Sequence, residues 1–338
     1  KNISCALDGS ISVNFAPSKY YSFEYTYKIY SNTPIKKLYN LLYSPILFGY
    51  LLSRHERFIY LGAIGFLKPF KDGREQEFKF LKSKSKQLVC YFMGSEIRSF
   101  ELLNNFARER DIDVITTYQG ISHKGIDSLK NENIRKTLGK TADKYADIIF
   151  NPSTDQIAYI KKKSFPFIYF VEPSLFETSQ KKLNKLEEII VLHCPTSPTI
   201  KGTPLVRAAI KKLKMEGYTF KYIELINEPH ETVLHALKTA HIVLNQFYSF
   251  VPGVFGIEAM ANSCALLTSA DENIETTLDE GANEAWKVTP YWLVYDNLKL
   301  FLDNPDLIKP QAIAGHNWAK KHCTYAAGAK KMNDIIND

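Results

Sequence analysis

Between residues 189 and 269, short apolar runs alternate with longer stretches in which apolar positions recur every three or four residues. The short runs are Ile189-Ile190-Val191-Leu192-His193-Cys194, residues 219–225, Ile242-Val243-Leu244 and Ala265-Leu266-Leu267. These runs predict strands, and the first, apolar up to His193, predicts one covered on both faces. The first is closed by Pro195 and Pro198, and a loop carrying Lys201-Gly202 follows. The next helix is predicted to take Thr203 as N-cap and Pro204 at its first position, to bury Val206, Ala209, Ile210 and Leu213, and to stop at Gly217. After the turn Asn227-Glu228-Pro229-His230, a second helix puts Val233, Leu234 and Leu237 on one face, and residues 245–261 read as a loop turning into a third helix. This alternation implies right-handed crossovers and a parallel sheet, whose ligands bind beyond the carboxyl ends of its strands. Lys201 and residues 253–258 fall at that edge.

A nucleoside diphosphate suits such an edge. A fixed ammonium at Lys201 and a helix N-terminus, equivalent to roughly half a positive charge, favour a departing diphosphate most as its negative charge grows. Gly253 lets backbone approach phosphate, and a carboxylate such as Glu258 can accept from two ribose hydroxyls. Plainer readings stand beside these. Lys201 also reads as a solvated charge, and Glu258 as a first-turn complement to the helix dipole. His230 reads as a turn or capping residue, His193 equally as a satisfied core histidine or a ligand contact, and Met260 as core.

His193-Cys194-Pro195, Lys201-Gly202-Thr203, Pro229-His230-Glu231, Asn245-Gln246 and Gly253-Val254-Phe255-Gly256-Ile257-Glu258-Ala259-Met260-Ala261 resemble, in this order, the donor domain of glycosyltransferase family four, the group 1 glycosyltransferases. The resemblance implies an α/β chain of GT-B fold, with two Rossmann-like domains whose parallel sheets face across a cleft. It also implies transfer of sugar from a nucleotide donor, usually with retention and without a metal or cofactor. Carried over, Lys201 meets the diphosphate, Glu258 the ribose, and the amides of Gly253, Val254 and Phe255 the phosphate or sugar; Gly202, His230, Asn245 and Gln246 complete the donor set. The chain departs from the family pattern at Phe250, where many members have a second acid, at Ser263 and Ala265, and in having no arginine before Lys201 in its loop. Asn245, Gln246, Tyr248 or Ser249 then serves in place of that acid, or the donor sugar differs.

In the front half, Cys90-Tyr91-Phe92 reads as a strand end leading into Met93-Gly94-Ser95-Glu96-Ile97-Arg98. This is similar to a loop of the family's acceptor domain, in which Gly94, Ser95 and Glu96 line the cleft and Glu96 deprotonates or orients an acceptor hydroxyl. The other reading is a helix start, with Ser95 or Ser99 as cap and Glu96 paired with Arg98. Residues 146–155 read as a strand opening a capped helix, and 165–170 as that domain's last strand. The acceptor domain is expected over 1–172 and the donor domain over 173–338, with the hinge within 172–185. The family's glycine-rich first loop is not visible around Asp8-Gly9-Ser10.

Composition changes little. At 338 residues, 45% hydrophobic and 23% charged, the chain has room for two cores. Cys5, Cys90, Cys194, Cys264 and Cys323 are scattered without metal-ligand spacing, which suggests reduced, buried thiols in the cytosol. The first residue is Lys1, which leaves room for residues before it. The net charge of +7 is concentrated in the first half, where tyrosines and leucines of 35–70 interleave with lysines and arginines. No stretch reaches the length of a spanning helix, so membrane contact would be peripheral, on an anionic inner leaflet, or the basic face is merely solvated. The spread of charge and the lack of a reader motif argue against nucleic acid. The residues and the resemblance together point to a glycosyltransferase acting on a saccharide or polyprenyl-linked acceptor, and the resemblance alone implies bacterial surface-polysaccharide assembly. The alternatives are a nucleotide-sugar epimerase of the same fold and an inactive nucleotide-sugar-binding protein.

Overall fold

A computed structural model describes residues 11–14, 25–29, 33–67, 72–177, 180–184 and 186–338. Cys5, the Asp8-Gly9-Ser10 segment and parts of the expected hinge lie outside the described residues. By packing, the chain divides into one unit of residues 1–110 and 125–167 and a second of 111–124 and 168–338.

The first unit contains β1 (Val13–Asn14), β2 (Tyr27–Lys28), α1 (Pro34–Leu52), β3 (Arg57–Leu61), α2 (Glu75–Ser83), β4 (Gln87–Tyr91) and α3 (Phe100–Arg110). After α4 (Ile115–Ser122), which belongs to the second unit, α5 (Leu129–Tyr145) and β5 (Ile148–Phe150) complete it. β1 pairs with β2, and β3, β4 and β5 form a parallel sheet in that order, with Tyr60 opposite Cys90 and Cys90 opposite Ile149. Its core joins Leu47, Phe48 and Leu51 of α1 to Phe78 and Leu81 of α2, Leu88 and Cys90 of β4, and Leu138 and Ala142 of α5. Glu77 is buried with its oxygens hydrogen-bonded, accepting from the Tyr60 hydroxyl and from the amides of Phe66 and Leu67 at 3.1 and 2.9 Å.

Two expectations fail here. No helix follows Pro152, because Asp155 is drawn into a buried pair with Arg98, 2.8 Å away, and Asn151 Nδ2 donates to the carbonyls of Pro152 and Gln156 at 2.9 and 3.0 Å. Residues 165–170 form no strand; Phe165 makes one isolated bridge to Phe150.

The second unit continues with β6 (Ile190–His193), α6 (Pro198–Lys201), α7 (Thr203–Met215), β7 (Lys221–Glu224), α8 (His230–Leu237), β8 (Ile242–Leu244), α9 (Gly253–Ala261) and β9 (Ala265–Thr268). It ends with α10 (Ala282–Ala285), β10 (Lys287–Val288), α11 (Val294–Asp303), α12 (Ile308–Cys323) and α13 (Tyr325–Asn337). Its five strands lie in the order β10-β9-β8-β6-β7, all parallel. β6 therefore has β7 on one side and β8 on the other, and the order reverses between β6 and β8. In open parallel sheets, such a reversal leaves a crevice beyond the carboxyl ends of the two strands, where ligands bind.

The four predicted strands are present, and β6, β8 and β9 are almost wholly buried. The stripe Val206, Ala209, Ile210 and Leu213 is buried as its spacing predicts, and Gly217 follows the end of α7 with φ of +92°. Thr203 does not cap that helix. Gly202 takes the N-cap position in the left-handed region, φ +79°, as the joint between α6 and α7, and the expected Lys201 loop is a single helical turn. On α8, Leu237 is buried while Val233 and Leu234 are half-exposed. The segment 111–124, expected in the first domain, groups with the second unit because α4 packs on α6. Among the described residues, no helix is long and apolar enough to cross a membrane.

Candidate functional site at the strand reversal

His193, the last residue of β6, is fully buried between β8 and α7. Its Nδ1 lies 2.7 Å from the Leu244 carbonyl and its Nε2 2.9 Å from the Thr203 hydroxyl. The carbonyl only accepts, so Nδ1 carries the proton and Nε2 accepts from Thr203. Burial depresses the histidine pKa to about 4, leaving the ring neutral near pH 7. Of the two readings for His193, the core one stands, and Thr203 owes its place to this ring.

The same edge gathers Lys201, Asn245 and Gln246. The Lys201 ammonium donates to the side-chain oxygen of Gln246, and Gln246 Nε2 donates to the Val251 carbonyl. Asn245 Nδ2 donates to the Pro252 carbonyl at 2.7 Å, with Thr268 Oγ1 3.4 Å away. Both buried amides thus hold the loop that delivers the chain into α9. The packing is close: a Cβ on Gly256 would sit 2.7 Å from Asn245 Nδ2 and 3.0 Å from Pro252 Cβ, and one on Gly202 would sit 3.3 Å from the Phe247 ring.

Gly253, Val254 and Phe255 form the first turn of α9, where amides lack intrahelical acceptors. The Gly253 amide donates instead to the Tyr169 hydroxyl at 3.2 Å, and Val254 is exposed. Glu258 lies in the second turn, so its reading as a first-turn complement to the helix dipole is wrong. It is buried, and its Oε1 lies 2.7 Å from Nε2 of His230, the first residue of α8. Glu258 raises the His230 pKa, more than partial burial lowers it. Pro229, not His230, holds the N-cap position of α8.

Tyr248, beyond Gln246, is buried in an aromatic row: the Tyr118 ring of α4 lies tilted 4.5 Å from it, Tyr291 lies 5.5 Å away, and Trp292 lies 4.8 Å from Tyr291. Phe250, where the resemblance leads one to expect an acid, is buried. Sequence reasoning missed Tyr118 and Tyr169. Each is brought to the site from a distant segment, and neither carries a local sign of its partner.

In the first unit, Gly94, Ser95 and Glu96 follow β4 at the carboxyl edge of its sheet. Glu96 Oε1 accepts from the Met93 amide at 2.5 Å, and the Ser95 carbonyl accepts from Arg135 Nε at 3.0 Å. The Glu96–Arg98 pair of the alternative helix-start reading does not form, because Arg98 is committed to Asp155; Ser99 caps α3 by accepting from the Leu102 amide at 3.0 Å. Among the described residues, no cluster of three or more His, Cys, Asp or Glu side chains is arranged to hold a metal.

No family model matches the sequence, and no curated protein matches it. Solved structures do. Sucrose-phosphate synthase from Thermosynechococcus elongatus aligns over 91% of this chain and 80% of its own, with a TM-score of 0.57 at 14% identity. Anabaena HepE, solved with UDP-glucose, aligns over 92% of this chain and 85% of its own, with a TM-score of 0.53 at 12% identity. TarM aligns over 88% of this chain and 58% of its own, with a TM-score of 0.51 at 13% identity. The chain shares the GT-B fold of these structures.

Proposed function

We propose that the protein is a glycosyltransferase that moves a sugar from a nucleoside-diphosphate donor to a saccharide or polyprenyl-linked acceptor in bacterial surface-polysaccharide synthesis. One observation carries this reading: at the strand reversal between β6 and β8, Gln246 ties the Lys201 ammonium to the loop that enters α9. A fixed cation and a helix N-terminus at such a crevice suit a diphosphate leaving group. The UDP-glucose held by Anabaena HepE, which shares the fold, supports a nucleotide sugar as donor.

In this reading Lys201 and the first-turn amides of α9 bind the diphosphate, Glu258 receives the ribose hydroxyls and is oriented by His230, and Asn245 and Gln246 hold the loop in place. Phe250 leaves no carboxylate at the position where many relatives have one near the transferred sugar, and a retaining, metal-independent front-face transfer fits that arrangement. The bond from C1 to the diphosphate oxygen breaks, and its electron pair stays with the diphosphate. The acceptor hydroxyl oxygen bonds to C1 from the same face and passes its proton to the departing phosphate. This route needs positioning and charge stabilisation. The acceptor role of Gly94, Ser95 and Glu96 is proposed from their place at the carboxyl edge of their own sheet. Peripheral attachment to the inner face of the cytoplasmic membrane belongs to the same proposal.

Mass-spectrometric screening of common nucleotide sugars, with and without saccharide acceptors, tests the reading. A glycosylated acceptor together with free nucleoside diphosphate supports it. An epimerised donor formed without acceptor contradicts it.

A further inference from the structure

α1 is apolar on both of its faces. Its inner face buries Leu47, Phe48 and Leu51 in the core of the first unit. At about 100° per residue, Leu38, Tyr39, Leu41, Leu42, Ile46 and Tyr50 fall together on the opposite face, about half the helix circumference. All six are exposed, Leu38 at 62%, Leu42 at 65% and Ile46 at 69%. Between Leu38 and Tyr50, the only other residues on that arc are the uncharged Pro45 and Gly49. Exposed apolar residues scattered singly need no explanation, but a contiguous face of this kind marks an interaction surface.

The charges around the face indicate what it meets. Residues 25–55 carry no aspartate or glutamate, Lys28 and Arg54 are exposed, and Glu56, just beyond, lies 2.8 Å from the Lys86 ammonium. Arg54, just past the end of α1, lies with its guanidinium 4.7 Å from the centre of the Tyr50 ring. Phe80 of α2, 6.2 Å from the buried Phe48 ring, is exposed beside the exposed Lys79. Apolar side chains with tyrosines among them and cations such as Arg54 and Lys79 nearby match an anionic lipid leaflet, in which the apolar groups enter the acyl boundary and the cations meet headgroups. A second copy of the chain, the other occupant to test, would show as a dimer that binds no vesicles.

We infer that the outer face of α1 docks the protein on an anionic lipid surface, with Leu38, Leu42 and Ile46 entering the acyl boundary. This gives the peripheral attachment of the proposed function a surface of its own. The contact is independent of the transfer chemistry and is measurable without donor or acceptor.

Sedimentation of the full chain with vesicles tests it. The wild-type protein is expected to co-sediment with vesicles of mixed phosphatidylglycerol and phosphatidylcholine, far less with phosphatidylcholine alone, and less as salt is added. The double variant Leu42→Glu/Ile46→Glu is expected to lose at least about tenfold in vesicle affinity, while its melting midpoint and nucleotide binding stay unchanged. In the single variant Leu42→Trp, added indole emission is expected to shift to the blue with anionic vesicles, a readout that survives even if the double variant fails to fold. A wild-type protein that stays in the supernatant overturns the inference, as does an anionic-vesicle affinity equal in the folded double variant, or an added indole emission that ignores vesicles. So does a wild-type dimer that the double variant converts to monomer without any vesicle binding.

Discussion

His230 Nε2 and Glu258 Oε1 lie 2.7 Å apart, joining the first residue of α8 to the second turn of α9. Glu258 raises the His230 pKa above the ordinary 6.5, so folding favours the imidazolium. That stabilisation is complete below about pH 6.5 and is lost as the pH rises through the raised value. Because His230 is partly exposed, its size is no more than about 1 kcal/mol. Thermal melts of wild type and His230→Ala should therefore differ most near pH 6 and converge toward pH 9.

His193 behaves in the opposite sense. Burial holds its pKa at about 4, against 6.5 for the unfolded chain, so stability is full above 6.5 and falls as the pH drops toward 4. The interval corresponds to about 3 kcal/mol. Denaturant titrations should show wild-type stability falling across this range. His193→Asn should be less stable at pH 7 by about 1 to 3 kcal/mol, since it leaves Leu244 or Thr203 poorly paired, and its pH profile should be flatter.

Gly256 has no room for a side chain. A methyl group there would press Asn245 Nδ2 at 2.7 Å and Pro252 at 3.0 Å, shifting the loop that enters α9. Gly256→Ala should cost about 1 to 3 kcal/mol in urea titrations, and it should weaken nucleotide binding beyond what the stability loss explains.

Arg98 and Asp155 form an ion pair with side chains 6% and 1% exposed. Removing one partner leaves an uncompensated charge in the first unit. Arg98→Ala should destabilise by about 3 to 5 kcal/mol. Arg98→Met with Asp155→Leu should recover much of that loss, as read by chemical denaturation.

The second unit was largely legible because strands buried on both faces write themselves as unbroken apolar runs, as at Ile242-Val243-Leu244. What the sequence hid was long-range hydrogen bonding. Thr203 looks like a cap, but its hydroxyl serves His193. Residues 151–155 look like a helix start, but Asp155 is claimed by an arginine 57 positions away. Tyr169 gives no local sign that it meets Gly253, 84 positions later. The lysine, the paired amides and the glycines of the candidate site were legible because loop chemistry at the carboxyl edge of a parallel sheet is local. The His230–Glu258 contact was not, because it depends on how α8 packs beside α9.

The account rests on a diphosphate held at the rim of the second sheet by Lys201, and calorimetric titration of UDP and GDP into wild type and Lys201→Ala tests it most directly. The account predicts that at least one of the two nucleotides binds the wild type and that Lys201→Ala weakens it at least about tenfold, the equivalent of about 1.4 kcal/mol, with binding of the parent nucleoside little changed. Equal diphosphate affinity in the two proteins, or no affinity for either nucleotide in the wild type, would contradict it.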